Sequence, residues 1–143
     1  MDYYVLPCFF ILQQNSKMKH YLWAIVWAIL VMFLISSPLP DVSNSAHSFP
    51  GIDKLIHTGF FFVFTILMFF GSLMNNNEPN LISWPNIVVL GSASFFAVAT
   101  ELIQKFLTYR SFEYWDIFAD HVGIGMAYFA YLVLVLTLRK VRD

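Results

Sequence analysis

Leu55–Met74 reads LIHTGFFFVFTILMFFGSLM, twenty residues in which His57 is the only ionisable side chain. Twenty helical residues at about 1.5 Å each match the roughly 30 Å hydrocarbon core of a bilayer. Three other apolar stretches surround it. Tyr21–Ile35, extended by Ser36 and Ser37, precedes it; Ile87–Leu107 and Trp115–Leu138 follow. The first is short for a span that needs about 20 residues. None shows the two-residue alternation of a membrane-barrel strand, and only helices or closed barrels satisfy their backbone in lipid. The expected fold is an all-α membrane protein, a bundle of four transmembrane helices.

Composition points the same way. Hydrophobic residues make up 59% of the 143 and charged residues 12%, against about 45–50% and 25% in soluble domains. Mean hydropathy is +0.66. These values exclude a disordered chain. The net charge of −1 leaves no basic footprint for nucleic acid. A single cysteine, Cys8, excludes an internal disulfide and a cysteine-based metal site. No P-loop, dinucleotide fingerprint, nucleophile elbow or zinc motif is present.

The links are punctuated by Pro38, Pro40, Pro50 and Gly51, then by Asn75-Asn76-Asn77, Pro79 and Pro85. Leu107–Tyr114 is short, which makes the third and fourth helices antiparallel neighbours. Tyr3–Leu12 is apolar but too short to span, and no basic segment precedes it. Residues 1–17 are expected to be a loose tail or an upstream-start extension, and 18–143 the four-helix membrane domain. Four spans put both termini on one side. Lys17, Lys19, Arg139, Lys140 and Arg142 flank that side; Lys54, Lys105 and Arg110 flank the other. The excess places both termini in the cytoplasm.

In an up-and-down order, the start of the second helix, the end of the third and the start of the fourth share one side of the membrane. The polar interruptions fall at those three places: Asp53, Lys54 and His57; Glu101, Gln104 and Lys105; Arg110, Asp116, Asp120 and His121. Spacing puts Asp53 and His57 on one helix face, and Glu101, Gln104 and Lys105 on another. Small residues continue two of the faces, Ala93 and Ala97 below Glu101, and Ala119, Gly123 and Ala127 on the fourth helix. Such stripes let helix backbones approach closely. Ordinary roles exist for many of these residues. Lys54, Lys105 and Arg110 can snorkel to head groups. Asp53 and Asp116 can cap their helices. Tyr109, Phe112, Tyr114 and Trp115 fit an interfacial aromatic belt. Glu101, Asp120 and His121 are harder to explain, because an ionisable group inside a span costs about 2.5–3.5 kcal/mol on insertion scales. Glu101 is expected to pair with Lys54 or Arg110.

Asp53-Lys54-Leu55-Ile56-His57 is an acidic-Lys-x-x-His motif. Glu101-Leu102-Ile103-Gln104 is a Glu-x-x-Gln motif, followed by Arg110 and by Asp116-Ile117-Phe118-Ala119-Asp120-His121-Val122-Gly123. In this combination the chain resembles the VanZ-like family of small multi-pass bacterial membrane proteins over about residues 19–135. Thr108 stands where that family usually has Pro, and Asp120 where it usually has Asn. The resemblance implies a cytoplasmic (inner) membrane protein of the bacterial envelope; the family is named for a teicoplanin-resistance protein.

Two functional readings follow. In the first, Asp53, Lys54, His57, Glu101, Gln104, Arg110, Asp116, Asp120 and His121 form a site for an anionic or lipid-linked envelope molecule. Lys54, His57 and Arg110 would hold phosphate or carboxylate. If that site is catalytic, His57, Glu101 and Asp116 are the candidate catalytic groups, with His57 as general acid–base. In the second, the same network only holds helices together, and the protein is a non-catalytic membrane factor. A third reading, a divalent cation on Glu101, Asp116, Asp120, His57 and His121, lacks a ligand spacing such as His-x-x-x-His. No metal or cofactor is therefore expected, and the partners are membrane lipids.

Overall fold

The structure, a computed structural model, describes residues 18–36, 51–75, 81, 83–107 and 113–142. These contain four helices and no strand: α1 (Leu22–Ser36), α2 (Ile52–Asn75), α3 (Trp84–Leu107) and α4 (Tyr114–Arg142). The tail at 1–17 and Arg110 lie outside the described residues. Helices α2, α3 and α4 are long and apolar enough to cross a membrane. Helix α1 is not. Its 15 residues extend about 22 Å at 1.5 Å each, short of a hydrocarbon core. Among the described residues three helices are thus long and apolar enough to span, and length does not establish a fourth crossing.

Local chemistry sets the helix starts. Gly51 has φ +96°, a left-handed conformation that suits glycine, and its carbonyl accepts the Leu55 N–H. Pro85 lies in the first turn of α3, where a missing N–H costs nothing, and the Ser83 carbonyl accepts from Asn86 and Ile87 instead. Helix α4 opens with Glu113 just ahead of it and Asp116 in its first turn. Acids there complement the positive end of the helix dipole.

The most extensive pairing is between α2 and α4. Contacts run Lys54 to Asp116, His57 to Asp120 and Phe69 to Tyr131, so these two helices are parallel. Helix α3 runs against them, with Phe96 between Phe61 and Phe64 and Val89 near Phe69. Helix α1 leans on α2, where the Trp27 indole N–H donates to the Phe60 carbonyl at 3.0 Å. The small residues lie at these contacts. Ala93, Ala97 and Ala127 are fully buried. A Cβ on Gly123 would stand 2.3 Å from the Thr58 carbonyl oxygen, so only glycine permits the α2–α4 approach. The Thr58 hydroxyl bridges the same point, 3.1 Å from the Ala119 carbonyl. Large apolar side chains such as Phe95, Phe106 and Phe129 are about 70% exposed, as expected of a surface that meets lipid.

Candidate functional site

The parallel α2–α4 pair and the opposed α3 bring the starts of two helices and the end of a third to one end of the bundle. Asp53, Lys54 and His57 come from α2, Glu101 and Gln104 from α3, and Asp116 and Asp120 from α4. His57, Glu101, Gln104, Asp116 and Asp120 are all buried, Asp120 and Glu101 at 0% and 1% exposure. Burial follows from register. Glu101 continues the inward Ala93–Ala97 stripe, and Asp120 follows Ala119 on the face that meets α2.

Two pairings organise the cluster. His57 Nδ1 lies 3.0 Å from Asp120 Oδ1, with both side chains buried. Lys54 Nζ donates to Glu113 Oε2 at 2.8 Å and to Asp116 Oδ1 at 2.5 Å, and stands 3.9 Å from Asp53. Glu101 is not a partner of Lys54. Its carboxylate takes the Glu113 backbone N–H and lies within the electrostatic reach of Asp116, His57 and Asp120. The expected Glu101–Lys54 pair is therefore replaced by Lys54–Asp116 and Lys54–Glu113, because the parallel register of α2 and α4 carries Lys54 to the first turn of α4. The other expected partner, Arg110, is outside the described residues.

Among the described residues, five carboxyl groups, of Asp53, Glu101, Glu113, Asp116 and Asp120, thus share this end with one ammonium and one buried imidazole. The N-termini of α2 and α4 offset part of that excess, each equivalent to about half a positive charge. The balance is still incomplete. Glu101 Oε1 and Asp120 Oδ2 are buried with no hydrogen-bond partner among the described residues. In proteins nearly all buried polar atoms are paired, and an orphan calls for a reason.

His121 does not join the cluster. It is exposed, and its ring donates from Nδ1 to the Ile117 carbonyl, 2.8 Å away on its own helix. One helical residue is about 100° of rotation, so Asp120 pointing in carries His121 outward. Lys105 is also exposed, 5.9 Å from the Phe106 ring centroid. Glu113 is the contributor that the motif reading missed. The available signal was an acid one residue ahead of α4, in the link facing the start of α2.

No protein-family model matches the chain, and no solved structure matches it. It is 28% identical over 102 residues to an uncharacterized protein of Schizosaccharomyces pombe. The alignment covers 71% of this chain and 59% of the yeast protein, so the chain spans well under two thirds of that relative's length. The likeness assigns no activity, and the reading of the site rests on its own chemistry. That chemistry is a buried cluster of carboxylates with a paired imidazole. It can hold or move a proton between His57 and Asp120, and it can bind a positively charged group.

An apolar groove runs along the same α2–α4 interface nearer the other end. Its volume is about 250 Å³, and Ile66, Phe69, Phe70, Leu73, Tyr131 and Leu134 line it. Phe70 and Leu134 are half exposed, so the groove opens toward the lipid-facing surface.

Proposed function

We propose that this chain is a VanZ-like membrane protein that binds the polar head of an anionic or lipid-linked envelope molecule at the end of α2, α3 and α4. The observation that carries this reading is the Lys54 ammonium between the N-termini of α2 and α4, held by two carboxylates that a bound anion can replace. Lys54 and Arg110 supply the positive charge for the head group, Lys54 by exchanging one of its two carboxylate partners. The apolar groove on the same interface suits a hydrocarbon tail. His57 and Asp120 are placed as a proton-handling pair if the bound group reacts.

A second reading, a non-catalytic membrane factor, is favoured by a different observation. Lys54 and His57 already have carboxylate partners. Native mass spectrometry of the purified full chain separates the two. Vesicles of undecaprenyl phosphate, phosphatidylglycerol and phosphatidylcholine in turn should give retained lipid with the first two, weakened at least tenfold by Lys54→Met. Equal retention of all three, unchanged in the variant, supports the structural factor.

The site belongs in this proposal to the outer leaflet of a bacterial cytoplasmic membrane, with both termini cytoplasmic. The support is the excess of Lys and Arg on the terminal flanks, and the proposal requires α1 to cross as the fourth span. Fluorescent-protein fusions at each terminus test both points. Fluorescence from both supports four spans with this orientation. Fluorescence from one alone means that α1 does not cross.

A further inference from the structure

We propose that Asp53, His57 and Asp116 form a binding site for one divalent cation of the manganese or zinc type, between the first turns of α2 and α4. One ligand atom from each of the three lies within 4.8 Å of the other two. Donors at about 2.0–2.2 Å from a common ion stand closer together than that, so the triangle must tighten by on the order of 1 Å. The first turns that carry Asp53 and Asp116 are where small adjustments are cheapest.

Three features beyond the triangle point to a cation. The first is the orientation of His57. Its Nδ1 is engaged by the buried Asp120 carboxylate at 3.0 Å, so a cation would be taken by Nε2. Carboxylate–histidine–metal relays are built in this way, with the carboxylate fixing the tautomer and raising ligand basicity. The second is Glu101, 1% exposed, whose Oε1 has no partner. That carboxylate is buried at the same end of the helices as His57, Asp116 and Asp120, and among the described residues its Oε1 meets no donor. The third is Lys54. Its ammonium bonds Asp116 and lies 3.9 Å from Asp53, so the protein already sets a cation against two of the three ligands. When an ion binds, Lys54 retains Glu113 and releases Asp116. One imidazole with two carboxylates suits first-row transition metals better than calcium or magnesium, which favour all-oxygen shells.

This inference does not depend on the lipid-linked ligand, and its test uses no lipid. Full-length protein in detergent, stripped with chelator, is titrated with Mn²⁺ and followed by electron paramagnetic resonance. One ion per chain is expected, with a pulsed-resonance coupling to an imidazole nitrogen. The nitrogen signature needs no variant, so it stands even if substitutions unfold the chain. Asp116→Asn should weaken binding at least tenfold, and Asp120→Asn about 10–100-fold through loss of the His57 support. Lys54→Met should tighten binding several-fold by removing the competing ammonium. The absence of saturable Mn²⁺ or Zn²⁺ binding in both the natural chain and Lys54→Met overturns the proposal. So does bound Mn²⁺ without nitrogen coupling.

Discussion

At one end of the α2–α4 interface Phe69 stacks on Tyr131, with ring centres 4.4 Å apart and planes 13° from parallel. Val89 and Val135 close around them. Three turns away on the same two helices, His57 faces Asp120 and Lys54 faces Asp116. The apolar end is a finished contact. Even its polar atoms are served, since Tyr128 and Asn86 both donate to the Leu81 carbonyl. The polar end is unfinished, with two carboxylate oxygens left over. Among the described residues the third buried orphan is the Thr65 hydroxyl, midway between the ends. One interface therefore divides into a part that holds the helices and a part where, among the described residues, buried carboxylate oxygens outnumber their partners.

The largest effect should come at the point where the two parts join. Gly123→Val places a side chain where even a Cβ meets the Thr58 carbonyl at 2.3 Å. Backbone oxygen cannot swing aside, so α2 and α4 must separate. Overpacking normally costs about 1–3 kcal/mol, and this site belongs above that range. Loss of folded protein from the membrane fraction is the expected outcome. Gly125→Ala, with nothing within 4 Å of its new Cβ, should leave abundance unchanged and raise the melting temperature slightly. Equal behaviour of the two variants would show that the close approach does not matter.

Asp120→Ala comes next. It removes one partner of a buried pair and strands His57, at a cost of about 3 kcal/mol, where the hydrogen-bond and ion-pair ranges meet. The double variant His57→Leu/Asp120→Leu should be less destabilised than Asp120→Ala alone, because no polar group is stranded. Thermal unfolding in detergent, followed by intrinsic fluorescence, measures both. The double variant sharpens the comparison. Recovered stability with lost ligand or metal binding separates function from scaffolding at the polar end.

The sequence made the gathering of polar groups legible, for a simple reason. Apolar runs separated by turn residues give an up-and-down order. That order alone carries the start of α2, the end of α3 and the start of α4 to one side. The inward faces were legible too, since Ala93, Ala97 and Glu101 follow helical spacing and are all buried. Partner choice was not legible. Whether Lys54 meets Glu101 or Asp116 depends on the register of α2 against α4, and that register is set by contact between Gly123 and the Thr58 backbone. His121 was assigned to the cluster because it is one of the polar interruptions at the start of the fourth helix, but a rotation of about 100° per residue separates it from Asp120. The length of α1 was visible as a short apolar run, and the helix that forms is shorter than a span.

Phe69→Ala tests the apolar end. In a water-soluble core such a change costs about 3–5 kcal/mol. Here the expected loss is about 2 kcal/mol, because contact with lipid carries no hydrophobic penalty and only packing is removed. Manganese binding at the polar end should be unaffected by this variant. A parallel loss of metal would mean that the two ends are one cooperative unit rather than two separate solutions.

The smallest effect is expected at Lys105, and it completes the contrast with Lys54. Both lysines lie at the same end of the bundle, and both were candidates for snorkelling. Lys54 is half-buried and bonded to two carboxylates, whereas Lys105 is exposed, with its ammonium 5.9 Å from the Phe106 centroid. A distant, solvated contact of that kind contributes little. Lys105→Ala should change stability by no more than about 0.5 kcal/mol, while Lys54→Ala strands Asp116 and costs several times as much. The two are compared by melting temperature in one detergent, at low salt and again at about 0.5 M. Salt should weaken the exposed Lys54–Glu113 pair more than the part-buried Lys54–Asp116 pair, so only part of the difference should survive. If the difference disappears at high salt, the Lys54 pairs behave as surface contacts, and the polar end is more open to water than its burial implies.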